Sequence, residues 1–137
     1  MRTVIIEDEM YAAKRLENMI KEFDPRIEIA AWLESVEDSI AWFKCNPEPD
    51  LIFLDIHLED NLSFAIFEKV SVTSPIVFTT ATDELAVKAF VTKGIDFLHK
   101  PVVKTELTAM LEKYLKSGVD FRKPIGAGFF KDIFDNK

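Results

Sequence analysis

The stretch Leu51-Ile52-Phe53-Leu54-Asp55 decides the fold, because a short apolar run that ends on an acid is typical of a buried strand with a functional carboxylate at its end. Similar runs recur along the chain, at Thr3–Ile6, Ile27–Leu33, Ile76–Phe78 and Ile95–Leu98. Continuous apolar runs of this length are what a parallel sheet covered on both faces requires. The sequence therefore predicts five buried strands.

Segments of helical period separate the strands. The apolar residues of the first helix share one face: Ala12, Leu16, Met19, Ile20 and Phe23. The second helix is capped by Ser35 and ends at Asn46-Pro47, and the third carries Phe64, Phe67 and Val70. The fourth helix begins at Asp83-Glu84 and ends at Gly94, and the last runs from Thr105 to Leu115. Regular alternation of strands and helices implies right-handed crossovers. We predict an α/β fold, (βα) repeated five times, with a five-stranded parallel sheet and helices on both faces.

Composition limits the classes of function. The 137 residues have a formal net charge of -7, which argues against nonspecific nucleic-acid binding by this segment, since such binding depends on phosphate neutralisation. The single cysteine, Cys45, excludes an internal disulfide and is expected to be buried or half-buried. No apolar stretch long enough to span a bilayer and no signal-peptide pattern is seen, so we expect no membrane partner and a cytoplasmic location.

Polar residues follow four of the predicted strands. Glu7-Asp8 ends the first strand, Asp55 the third, Thr79-Thr80 the fourth, and Lys100 the fifth. Because ligands bind at the carboxyl ends of parallel strands, these residues are expected to share one edge of the sheet.

Each residue type at that edge suits phosphoryl chemistry. Three carboxylates, those of Glu7, Asp8 and Asp55, repel one another unless a cation such as Mg²⁺ shares them. A carboxylate is also a nucleophile toward phosphorus, and the Lys100 ammonium and Thr80 hydroxyl can neutralise phosphoryl oxygens. A single aspartate at the end of a strand, such as Asp55, is more often a turn or cap residue, and Glu7-Asp8 alone could equally cap the following helix. The placement of these residues at strand ends that share one edge is what favours a phosphoryl-transfer site.

The chain resembles the receiver domain of bacterial response regulators, which has a flavodoxin-like fold. The motifs that carry this resemblance over residues 1–117 are Val4-Ile5-Ile6-Glu7-Asp8, Leu51-Ile52-Phe53-Leu54-Asp55, Thr80-Ala81 and Lys100-Pro101. Further motifs are similar to the LytTR subclass: Asp55-Ile56-His57-Leu58, Ser63-Phe64, Phe78-Thr79-Thr80-Ala81, Lys88-Ala89-Phe90 and Ile95-Asp96-Phe97-Leu98. That subclass normally carries a carboxyl-terminal DNA-binding domain, so residues 118–137 are expected to be a linker or tail toward an effector domain that this sequence does not include.

The resemblance implies a role for each residue of the edge. Asp55 becomes the phosphoacceptor, Thr80 the switch hydroxyl and Lys100 the phosphate-binding lysine. The Mg²⁺ ligands become Glu7, Asp8, Asp55 and the backbone carbonyl of His57, while Phe97 takes the switch-aromatic position and Lys100-Pro101 is expected to be cis. An aromatic residue in a strand is about as often an ordinary core side chain, so that role fits Phe97 equally well.

The resemblance also implies partners and leaves alternatives. A sensor histidine kinase is the expected phosphodonor, and homodimerisation is expected through the fourth helix, fifth strand and fifth helix. A stand-alone receiver or a phosphorylation-independent pseudo-receiver is the alternative to a regulator with an output domain. A haloacid-dehalogenase-type phosphatase also uses an aspartate nucleophile, but it needs a second Asp where this chain has His57.

Three positions depart from the pattern of the family. His57 and Thr82 lie where side chains tune the lifetime of the phosphate, and the His57 side chain is expected to face solvent. Asp60-Asn61 stands where a glycine usually follows Asp; Asn tolerates left-handed backbone, so the turn is expected to survive. The Phe-rich tail is read as a linker, with a dimer contact or a docked tail as the alternative.

Overall fold

The computed structural model describes residues 1–81 and 96–116. Its elements in chain order are β1 (Arg2–Ile6), α1 (Met10–Phe23), β2 (Glu28–Leu33), α2 (Val36–Cys45), β3 (Leu51–Asp55), a 3₁₀ helix (Ser63–Glu68), β4 (Ile76–Thr80), β5 (Asp96–His99) and α3 (Lys104–Lys116). The predicted fourth helix and Thr82, together with the tail 118–137, lie outside the described residues.

The five strands form one parallel sheet in the order β2-β1-β3-β4-β5. This arrangement confirms the predicted α/β class. The strand β3 lies at the centre of the sheet, and all five of its residues are buried. Its position explains why the apolar run is continuous rather than alternating.

Successive residues of β3 supply the two apolar layers. Ile52 and Leu54 belong to a cluster that includes residues of α2 and the 3₁₀ helix. Leu51 and Phe53 belong to a second cluster that includes residues of α1 and α3. Because side chains of a strand alternate between faces, one apolar run holds helices on both sides of the sheet.

The helices bury the faces that their periodicity predicts, with small shifts. In α1 the buried residues are Ala13, Leu16, Met19 and Ile20, so Ala13 replaces the predicted Ala12 at the centre of the face. In α3, Leu107 and Leu111 are buried, and Tyr114 and Leu115 pack against the same cluster. None of the described helices combines the length and the apolar character needed to cross a bilayer.

Two local predictions were wrong. The segment after β3 is a 3₁₀ helix that ends at Glu68, so Val70 lies beyond it. No side chain caps this helix. The Ala65 N–H donates to the Leu62 carbonyl and the Lys69 N–H to the Ile66 carbonyl, both at 3.1 Å in the i→i+3 pattern, and the Val70 N–H also donates to the Ile66 carbonyl at 3.1 Å. Cys45, predicted to be buried or half-buried, is exposed at the end of α2.

Candidate functional site

The register of the sheet brings the predicted residues to one edge. Ile6 of β1 pairs with Leu54 of β3, so Glu7 and Asp55 follow neighbouring positions. Asp55 pairs in turn with Thr79 of β4, and Thr80 pairs with the residue before Lys100. The common edge that the sequence predicted is therefore present.

Lys100 links the two buried carboxylates of this edge. Its Nζ lies 2.8 Å from Oδ2 of Asp55 and also contacts a carboxylate oxygen of Glu7. Burial lowers the pKa of Lys100, but its hydrogen bonds to Asp55 and Glu7 outweigh that effect and raise the pKa above its usual range. The ammonium thus stays charged and partly neutralises the acidic cluster.

Glu7 is held by several contacts in addition to Lys100. Its Oε2 accepts a hydrogen bond from the Glu9 N–H at 3.1 Å, and its backbone carbonyl accepts one from the indole Nε1 of Trp32 at 2.7 Å. Burial raises the pKa of the Glu7 carboxyl to about 7, although the hydrogen bond from Lys100 acts to lower it. An additional cation at this place would favour the charged form.

The cap of α1 is Glu9, not the Glu7-Asp8 pair. The Glu9 carboxylate accepts hydrogen bonds from the backbone N–H groups of Tyr11 at 3.2 Å and Ala12 at 3.0 Å. With the helix capped by Glu9, the two preceding acids are left for the edge of the sheet.

The three acids are arranged as a cation site. Glu7, Asp8 and Asp55 each offer a carboxylate oxygen, and these oxygens lie within 4.8 Å of one another. Mg²⁺ prefers hard oxygen donors such as these carboxylates. Buried carboxylates such as Glu7 and Asp55 are stable in the charged form only beside positive charge, so the donor set fits this ion.

The loop after β3 begins at the site. Oδ1 of Asp55 accepts a hydrogen bond from the His57 N–H at 3.2 Å. The His57 side chain is exposed, as predicted.

Thr80 and Lys100 are joined through their backbones. Thr80 is buried at the end of β4, and its carbonyl accepts a hydrogen bond from the Lys100 N–H at 2.8 Å. The Lys100-Pro101 peptide bond is cis, as predicted.

Phe97 lies on β5, where it pairs with Phe78 of β4. It is half-buried, packs against the cluster on the α2 side of the sheet and stacks edge-on against His99 at 5.2 Å between ring centroids. These contacts agree with either role predicted for it.

Sequence reasoning missed two side chains that hold loops at this edge. The Asp60 carboxylate accepts hydrogen bonds from the N–H groups of Val36 and Glu37, at the start of α2. The Arg15 guanidinium donates to the carbonyl of Val102 at 2.6 Å. Both contacts join residues that are distant in sequence, so no local sequence pattern predicts them.

Comparisons with known proteins agree with this geometry. Residues 3–112 match the response regulator receiver domain family. The chain is 34% identical over 125 residues to the sensory transduction protein LytT of Bacillus subtilis (strain 168), covering 88% of this chain and 50% of that protein. It is 33% identical over 116 residues to the transcriptional regulatory protein YpdB of Escherichia coli (strain K12), covering 82% of this chain and 47% of YpdB.

The fold is similar to the crystal structure of the response regulatory domain of protein mrkE from Klebsiella pneumoniae. The TM-score is 0.70 at 29% identity, over 83% of this chain and 94% of that one. The chain belongs to the response regulator receiver domain family, and its LytT relatives confirm the predicted resemblance to LytTR-type regulators. The chain spans about half the length of the curated relatives it matches.

Proposed function

We propose that Asp55 is the phosphoacceptor of this receiver domain. An oxygen of the Asp55 carboxylate attacks phosphorus, a phosphorus–oxygen bond forms, and the bond from phosphorus to the donor breaks. With a phosphohistidine donor, the electron pair of the broken bond returns to the imidazole nitrogen. The product is an aspartyl phosphate, which water later hydrolyses.

The observation that carries this proposal is the contact of 2.8 Å between the Lys100 ammonium and the buried Asp55 carboxylate. A fixed ammonium beside the nucleophile is placed to neutralise phosphoryl oxygens as negative charge accumulates on them. The Thr80 hydroxyl, from the neighbouring strand β4, is proposed to donate a hydrogen bond to the same group.

Glu7, Asp8, Asp55 and the His57 carbonyl are the proposed ligands of Mg²⁺. Bound there, the ion would supply positive charge to the phosphoryl oxygens and orient them. The chain's own part is to hold these oxygens at one edge: the strand ends hold Glu7 and Asp55, and the hydrogen bond from Trp32 to the Glu7 carbonyl fixes the first loop.

A receiver domain is a signalling switch, and a histidine kinase is its general kind of partner. We propose that phosphorylation draws Thr80 toward the new charge and that Phe97 follows. The surface of β5 and α3 would then favour homodimerisation, together with the predicted fourth helix, which lies outside the described residues.

The output of the switch is proposed from the relatives. YpdB is a transcriptional regulatory protein about twice the length of this chain. The resemblance to the LytTR subclass, which normally carries a DNA-binding domain, points to an output of the same kind. We propose that the intact protein relays phosphorylation to such a domain, with a stand-alone receiver as the alternative. A haloacid-dehalogenase-type phosphatase is disfavoured because the position two residues beyond Asp55 is an exposed histidine.

Labelling with acetyl phosphate and Mg²⁺ tests the acceptor. We expect wild type to gain one phosphoryl group by intact mass, and Asp55→Asn to gain none. Asp50→Asn is the matched control, because Asp50 is an exposed acid at the opposite end of β3 that accepts a hydrogen bond from the Arg2 N–H. Retained labelling in Asp55→Asn contradicts the assignment.

A further inference from the structure

The loop that follows Asp55 is a compact turn. His57 and Leu62 form an antiparallel bridge, and the Leu58 N–H donates to the Asn61 carbonyl at 3.0 Å. The Ser63 N–H closes the loop on the Ile56 carbonyl at 2.8 Å. The turn survives without the usual glycine, as predicted, and it does not need the left-handed backbone that Asn tolerates, since no described residue other than glycine has positive φ.

Asp60 ties the tip of this turn to α2. Its Oδ1 accepts a hydrogen bond from the Val36 N–H at 2.9 Å, and its Oδ2 accepts one from the Glu37 N–H at 3.2 Å. These are the first two N–H groups of the helix, which have no partner within it. The third, that of Asp38, is capped locally by Ser35 Oγ at 3.0 Å.

Because its two carboxylate oxygens accept hydrogen bonds from two adjacent N–H groups, Asp60 fixes both the position and the orientation of the tip of the loop. The positive end of the helix dipole adds attraction for the charged carboxylate. The hydrogen bonds from Val36 and Glu37 lower the pKa of Asp60, so the tie stays charged at neutral pH.

We propose that Asp60 is a positioning residue that holds residues 56–63, and with them the His57 carbonyl, against the start of α2. Asp60 holds the tip of the loop against α2, and the bridge between Leu62 and His57 passes this restraint to His57, two residues after Asp55. This inference rests on the proposed function in one respect, the role of the His57 carbonyl as a Mg²⁺ ligand. Residues that orient metal ligands commonly change metal affinity by about tenfold or more when replaced.

Ser35 supplies a matched control. It caps the same turn of α2, but its side chain accepts its hydrogen bond from Asp38 within the start of the helix. Loss of either cap is expected to destabilise the start of α2. A loss of Mg²⁺ affinity in Asp60→Ala but not in Ser35→Ala therefore separates positioning from helix stability.

The experiment uses the full chain with Asp60→Ala, Asp60→Asn and Ser35→Ala. Mg²⁺ is titrated by tryptophan fluorescence, since the Trp32 indole contacts the Glu7 carbonyl. Backbone amide exchange of residues 56–63 is measured without Mg²⁺. We expect Asp60→Ala to weaken Mg²⁺ binding about tenfold and to speed exchange of the loop. Asp60→Asn keeps one of the two acceptor oxygens and is expected to give effects between those of Asp60→Ala and wild type.

Wild-type affinity and wild-type exchange in Asp60→Ala would overturn the proposal. Equal effects in Ser35→Ala would overturn it too, because they would assign the change to the helix. Failure of the phosphoacceptor assignment looks different: Asp55→Asn would keep its label or wild type would take none, while the exchange of the loop would still report on Asp60.

Discussion

Replacing Lys100 with methionine removes the ammonium between Glu7 and Asp55 while keeping most of the volume of the side chain. The Lys100 side chain is 23% exposed, that of Glu7 5% and that of Asp55 9%. The substitution therefore leaves two buried carboxylates without their shared cation.

Removal of one partner from a buried ion pair costs about 3–5 kcal/mol. The residual exposure of Lys100 and the readiness of Glu7 to take up a proton reduce this cost, so we expect the free energy of unfolding to fall by about 2–3 kcal/mol in chelator. Mg²⁺ should recover part of the loss, because a bound cation would replace the missing charge.

Urea unfolding followed by circular dichroism measures this loss. Lys104→Met is the control: Nζ of Lys104 also lies 2.8 Å from a carboxylate, that of Glu22, but the two side chains are 63% and 58% exposed. An exposed pair contributes up to about 1 kcal/mol, so this variant should change little. Equal losses in the two variants would refute the argument that burial makes the Lys100 pair strong.

Three other predictions concern protons, caps and assembly. The pKa of Glu7 is raised from 4.5 to about 7, so its contribution to stability is full below 4.5 and is lost as pH rises through 7. In chelator, wild type should lose about 2–3 kcal/mol more than Glu7→Gln between about pH 5 and about pH 8 in urea titrations; equal slopes would contradict the shift. Glu9→Ala removes the cap of α1 and should lower the unfolding free energy by about 1 kcal/mol, whereas Glu9→Asp should retain most of it. Mg²⁺ with beryllofluoride should convert wild type to a dimer by light scattering, and Thr80→Ala should weaken that response; a wild-type mass that stays monomeric contradicts the dimer step.

The fold was predictable because strand burial leaves a strong signal. Four of the five predicted strands differ from the observed bounds by no more than two residues at either end; the fifth, predicted from Ile95, is described from Asp96. The helix after β3 was not predictable to the same degree. The spacing of its apolar residues predicts a helix but not the type of helix. The 3₁₀ geometry, with no side-chain cap and with i→i+3 hydrogen bonds, depends on the backbone conformation of Leu62 and Ser63 at the end of the loop.

The edge residues were predictable for a topological reason. In a parallel sheet, the end of each strand lies beside the end of its neighbour, so Glu7, Asp55, Thr80 and Lys100 meet once the strands are identified. Sequence alone could not show that the Lys100 ammonium contacts both carboxylates, because that depends on side-chain conformation.

Three of the loops that leave this edge are held by side chains bound to backbone, in addition to the bond from Trp32 to the Glu7 carbonyl. Glu9 caps α1 after β1, Asp60 binds the start of α2 after β3, and Arg15 binds the Val102 carbonyl after β5. The first contact spans two or three residues and follows a known capping pattern, whereas the others span 24 and 87 residues. The sheet thus fixes the residues at strand ends, and one local cap and two distant side chains fix those one step beyond. Sequence patterns identify the first set because its placement follows from topology, and they miss the second because its placement follows from packing.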